Sequence, residues 1–176
     1  MSKSKKLKIS ALSQVESIGS FLANLGLGRF RTLSNMYYYL RENLSENVWT
    51  DFREYEIKVN SKEYVGRRIL SGDFHEEELG KSILEEVGSG EKVLDIGGHI
   101  GSITLFFRDA VGSEGKVIVY EADPLNFEML EDTINENSLE NIEVHNKAVL
   151  NSSGSVELYR NTENTGKSSV KADFGQ

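Results

Sequence analysis

The stretch KVLDIGGHIGSITLFF, Lys92 to Phe107, runs from a short apolar burst into a glycine-rich turn and straight out into a second apolar run. Glycine in such a turn permits positive φ and lets a ligand approach the backbone with no Cβ in the way. A helix starting near Gly101 would point unpaired N–H groups at the same place, and Ile103, Phe106, Phe107, Ala110 and Val111 are spaced to bury it. Downstream, Lys116–Tyr120, Ile142–His145 and Val156–Tyr159 read as strands, and Pro124–Glu136 reads as a helix. Asp123 is a good N-cap ahead of a proline suited to the first helical position, with Phe127, Leu130 and Ile134 as the buried face. Alternating β and α with short connections predicts an α/β fold on a parallel sheet with right-handed crossovers.

In doubly wound sheets, ligands bind beyond the carboxyl ends of the strands, where the turn after the first strand lies. The dinucleotide fingerprint G-x-G-x-x-G, counted from Gly97, meets His99 and Ser102 where it requires glycine. Counted from the acid instead, the pattern is Asp95-x-Gly97-x-x-x-Gly101, with a carboxylate near the end of the strand. A carboxylate there repels a pyrophosphate but accepts from an ammonium group, directly or through water. Glu121 ends the second strand, where an acid is placed to take both hydroxyls of a ribose. A nucleoside with an amino acid end, S-adenosylmethionine, satisfies both acids, whereas NAD satisfies only the second.

Upstream, Ile9, Leu12, Val15, Ile18, Leu22 and Leu25, then Leu33, Met36, Tyr37, Leu40 and Leu44, recur at mostly helical spacing. They predict an N-terminal helical extension over residues 1–50. Tyr55, Ile57 and Val59 alternate, and Tyr64 and Val65 follow a turn signal at Asn60-Ser61, predicting a β-hairpin within 51–70. Leu79, Ile83, Leu84 and Val87 mark a helix whose first turn carries Glu76, Glu77 and Glu78, where the helix dipole favours acid.

The 176 residues contain no cysteine, which excludes disulfides, thiolate metal sites and thiol nucleophiles and fits a cytoplasmic protein. His75 and His145 show no ligand spacing, so no metal is expected. No apolar run approaches the about 20 residues of a membrane span. The net charge of −8 is uneven, since Met1–Glu46 is basic and the remainder strongly acidic. An acidic body argues against nucleic acid as a partner.

The segments VLDIGGHIG, VYEADPLNFEML and EVHNKAV resemble the motifs of FkbM-type S-adenosylmethionine-dependent methyltransferases. That family shows an Asp-x-Gly-Ala-Asn-x-Gly turn, a Glu-Pro-Asp-Pro-x-Asn-Phe segment and an Asn-x-Ala-hydrophobic step after the third strand. The resemblance runs from Ser71 to Val170 and lies in the ordered set, since the glycine turn alone is widely shared. It implies a Rossmann-like parallel sheet with helices on both faces, and residues 71–176 as the N-terminal half of a methyltransferase domain. The family's later strands and acceptor-binding residues have no counterpart before Gln176, so the resemblance implies a sequence cut short at its C-terminal end. An uncovered sheet edge would favour a homo-oligomer.

Carried over by residue, the resemblance implies that Asp95, Gly97 and Gly101 line the methionine end of S-adenosylmethionine and that Glu121 holds its ribose. Ala122 would lie against adenine, with Asn146 and Ala148 near the base. Glu76 stands for the acid of a Tyr-Glu pair ahead of the first helix. Gly98 stands for the family's alanine and His99 for its asparagine. His99 could contact or orient the cofactor, take a proton from an acceptor, or serve a structural role, and no catalytic base is identified. The implied reaction is O-methylation of a small-molecule or glycan hydroxyl. A non-catalytic cofactor-binding fragment or scaffold is the alternative, and an NAD-dependent oxidoreductase suffers from the glycine count.

Overall fold

The computed structural model describes residues 47–74, 77–161 and 165–172, together with positions 18, 21 and 24–26. The amphipathic helices expected before residue 47 fall almost wholly outside the described residues. The chain divides into two compact units, Met1–Thr50 with Val59–His75, and Asp51–Lys58 with Glu76–Gln176.

The alternation at Tyr55, Ile57 and Val59 makes a strand, β2 (Tyr55–Asn60), with all three side chains buried. Its hairpin partner is the preceding β1 (Asn47–Phe52), not the segment around Tyr64 and Val65. That segment opens a helix, α1 (Tyr64–Leu70). The Glu63 carboxylate accepts from the Val65 and Gly66 amides at 2.8 and 3.2 Å, and Ile69 and Leu70 are buried one turn later. A satisfied helix start and a buried face outweigh the strand preference of two side chains. The hairpin expected within 51–70 is therefore corrected to residues 47–60, and Asn47–Thr50 is strand where a helical extension was expected.

The second unit contains α2 (Glu77–Glu86), β3 (Lys92–Ile96), α3 (Ser102–Val111), β4 (Lys116–Tyr120), α4 (Pro124–Glu136) and β5 (Ile142–His145). The three strands form a parallel sheet in the order β3-β4-β5. The α/β reading of the sequence holds. Register sets Ile96 beside Tyr120 and Tyr120 beside His145, so Gly97, Glu121 and Asn146 leave the sheet at one end. Beyond them, β6 (Val156–Tyr159) and β7 (Ser169–Ala172) pair antiparallel, with a 3-10 turn at Thr165–Lys167 before β7.

Along the sheet, Asp95, Val117 and Val119 are buried together with Leu105, Phe106 and Leu130 of the helices. Leu94 and Ile96, which point the other way, are 55% and 59% exposed. Of the two helix-covered faces implied by the resemblance, one is covered among the described residues. On the other, Leu94, Ile118 and Tyr120 line an open cleft of about 1090 Å³ that is also lined by the chain between Asn146 and Leu158. The buried set of α3 is Ser102, Thr104, Leu105, Phe106 and Val111, while Ile103, Phe107 and Ala110 are half-buried. Thr104 turns inward because it has a buried partner, Asp95.

The hairpin tip is part of this unit. Arg53 lies over the Phe106 ring at 4.1 Å and pairs with Asp109 at 2.9 Å. The Tyr55 hydroxyl donates to the other Asp109 oxygen. The Glu56 amide donates to the Asn137 side chain at 3.0 Å, and the Asn137 amide group returns a bond to the Glu56 carbonyl at 2.7 Å. A Cβ on Gly80 would overlap the Phe106 ring, so α2 and α3 approach closely at that ring.

Burial, reinforced by Asp109, pushes the Tyr55 hydroxyl up from 10.0 to about 12. A raised folded value stabilises fully below the unfolded one and is lost as pH rises through the folded one. Tyr55→Phe should therefore cost about 1–3 kcal/mol at neutral pH by urea unfolding. The difference from the native protein should narrow as pH climbs from 10.0 toward about 12.

Candidate functional site

The turn between β3 and α3 is built on three left-handed residues, Gly97 (φ 85), His99 (φ 53) and Gly101 (φ 95). The Gly97 N–H donates to the Tyr120 carbonyl at 2.7 Å and ties the turn to the neighbouring strand. A Cβ added to Gly97 would meet nothing within 4 Å, so this side of the backbone is open to approach. Gly98 is the reverse case. A Cβ there would overlap Val119 Cγ1 and press on the Thr104 hydroxyl.

Two carboxylates flank the turn. Asp95 is 8% exposed and accepts from the Thr104 hydroxyl at 2.6 Å. Burial pushes its pKa up, the Thr104 bond opposes the rise, and the charge of Glu121 adds to it. Glu121 is also buried. One of its oxygens accepts the His99 N–H at 2.8 Å and the other accepts the Asp123 N–H at 2.7 Å. The ends of β3 and β4 are thus tied through one carboxylate.

The side chains of those two donors are held as well. His99 Nε2 shares a 2.5 Å hydrogen bond with the hydroxyl of the buried Thr165. Asp123, 1% exposed, caps α4 by accepting from the Leu125 amide at 2.9 Å and accepts from Arg160 Nε at 2.5 Å. Asn146 donates to the Glu121 carbonyl at 2.9 Å.

The structure thus gathers Asp95, Gly97, Gly98, His99, Gly101 and Glu121 around one turn. Ala122, Asn146 and Ala148 form a second group, lining the cleft on the Leu94 side. Glu76 and His75 lie outside the described residues. Among the described residues, no group of three or more side chains could hold a metal ion, and no helix is long and apolar enough to cross a membrane. Sequence reasoning missed Thr104, Arg160 and Thr165. Thr104 was within reach, since a helix starting near Gly101 sets its first turn against the end of the strand. Arg160 and Thr165 lie 37 and 66 positions from their partners, and no local pattern announces them.

The sequence matches no protein-family model and no curated protein. Among solved structures, a SAM-dependent methyltransferase from Aquifex aeolicus is similar over 42% of this chain and 38% of its own, at 26% identity and a TM-score of 0.37. TYW2 from P. horikoshii, in complex with MeSAdo, is similar over 58% of this chain and 36% of its own, at 18% identity and a TM-score of 0.45. A protein-L-isoaspartate O-methyltransferase is similar over 66% and 31%, at 20% identity and a TM-score of 0.39. The chain spans well under half the length of each.

Two outcomes follow from the packing. Gly98→Ala should destabilise by about 1–3 kcal/mol in chemical unfolding, and adding Val119→Ala should recover part of that loss. Asp95→Asn should raise the thermal midpoint of the ligand-free protein at neutral pH. Because burial raises the Asp95 pKa, its ionisation costs stability as pH rises through the folded value, so the gain should vanish as pH falls into the ordinary carboxylate range.

Proposed function

We propose that this chain binds S-adenosylmethionine at the turn between β3 and α3 and acts as an FkbM-type methyltransferase on a hydroxyl of a small molecule or glycan. The observation that carries the cofactor assignment is the buried Asp95 carboxylate, with its raised pKa, close to a second carboxylate at Glu121. Such a pair favours a cationic ligand, and the ammonium and sulfonium of the cofactor supply that charge. The open side of Gly97 gives an amino acid end room to lie against the backbone. Each Glu121 oxygen, although already accepting one N–H, retains a second acceptor direction for a ribose hydroxyl. Ala122, Asn146 and Ala148, beside Leu94 and Ile118, line a recess of mixed polar and apolar character, in which apolar side chains could face a nucleobase and Asn146 could meet its edge.

When bound, the cofactor supplies an electrophilic methyl group on sulfur. Asp95 would orient the amino acid end, Glu121 the ribose, and the tied turns would limit motion between them, so the contribution of these residues is positioning. The hydroxyl oxygen as acceptor, and the FkbM type, rest on the motif resemblance. In that family's order, the residues that recognise the acceptor lie beyond the third strand's Asn-x-Ala step.

Isothermal titration with S-adenosylmethionine and its demethylated product tests the reading. Both should bind, and Asp95→Ala and Glu121→Ala should each weaken binding by about 1–3 kcal/mol. Transfer of labelled methyl to hydroxyl-bearing acceptors then separates an enzyme from a binding scaffold. NADH binding without affinity for either sulfur ligand would overturn the assignment.

A further inference from the structure

The backbone donors that hold Glu121 belong to His99 and Asp123, and the side chains of the same two residues are gripped by Thr165 and Arg160. Arg160 immediately follows β6 and Thr165 opens the 3-10 turn before β7, so both grips come from the segment carrying that antiparallel pair. The two linkages are chemically independent. One is a hydroxyl on an imidazole, and the other is a guanidinium on a carboxylate that is 1% exposed. They nevertheless converge on one carboxylate, one linkage on each of its oxygens.

His99 shows why such a grip matters. It is a non-glycine residue in the left-handed region, a conformation that costs about 1 kcal/mol or more and persists only where surroundings enforce it. The bond from its ring to Thr165 and the bond from its amide to Glu121 supply that enforcement. Asp123 is in the corresponding position on the second turn. Its buried charge is balanced by Arg160, and without that partner the carboxylate would draw toward water and carry its own amide away from Glu121.

We propose that Arg160 and Thr165 are positioning residues of the nucleoside site, acting through Asp123 and His99 to fix the Glu121 carboxylate. The assignment of that site to a nucleoside rests on the function proposed above, whereas the grip itself does not. Arg160 after β6 and Thr165 ahead of β7 then work for the site, although they lie far along the chain from the glycine turn. Neither Arg160 nor Thr165 needs to touch the ligand for this role.

The test uses the full chain and two readouts. In the ligand-free protein, hydrogen exchange should quicken at the Asp123 amide in Arg160→Ala and at the His99 amide in Thr165→Val, by about tenfold each. Affinity for S-adenosylhomocysteine, measured well below each variant's melting temperature, should fall by about five- to tenfold. Thr165→Ser keeps the hydroxyl and should restore both readouts, which a general loss of packing would not allow. Arg160→Gln replaces Arg160→Ala if the latter does not fold. Unchanged exchange at both amides would overturn the proposal, and so would tighter ligand binding, which would mean that the segment competes with the cofactor. If the native protein does not bind S-adenosylhomocysteine, the methyl-donor reading falls, while the exchange readout still decides the grip.

Discussion

The carboxylate of Glu121 is the constraint on which the site depends. It leaves β4 at the same end of the sheet as Gly97 leaves β3, and each of its oxygens takes a backbone N–H from a different turn. An acid buried in this way needs its donors, because an ionised carboxylate out of water without hydrogen bonds costs several kcal/mol or more. The two turns in turn need the acid, since neither the His99 nor the Asp123 amide pairs within the sheet. Turn geometry and carboxylate burial are therefore mutually conditional, and the parallel register of β3 and β4 brings them within reach.

Asp95 stands in a different relation to its surroundings. Among the described residues the Thr104 hydroxyl is the side chain that donates to it, and Glu121 opposes its ionisation. A group held in this state lowers stability in the free protein and gains when a cation arrives, a trade common where binding is the purpose of a residue. The contrast between two buried acids at adjacent strand ends, one furnished with donors and one partly unfurnished, is what supports the proposed positively charged ligand.

Most of the sheet was legible in the sequence because each strand is short, apolar and bounded by turn residues, and because Asp123-Pro124 marks one helix start unambiguously. Asp95, the glycines and Glu121 were legible for the same reason, since strand ends place them. The segment at Tyr64 and Val65 misled, because its two β-prone residues precede a helix whose cap, Glu63, is an uncommon type for that role. Gly98 looked interchangeable with alanine, and only the approach of Val119 across the sheet shows otherwise. The bonds from Arg160 and Thr165 depend on how the chain returns after β5, which periodicity does not encode.

The hairpin tip carries a consequence for the order in which the chain can assemble. Its bonds reach from Tyr55 to Arg108, 53 positions on, and from Glu56 to Asn137, 81 positions on. During synthesis at about 5–20 residues per second, Glu56 emerges between about four and sixteen seconds before its partner. The tip must therefore wait, its aromatic side chains unpaired, until α3 and then α4 have been made. Contacts of such long sequence separation form late on the folding route. The tip would act as the closing fastener of the α/β unit, and the rate at which the unit comes apart would be set there more than in the sheet.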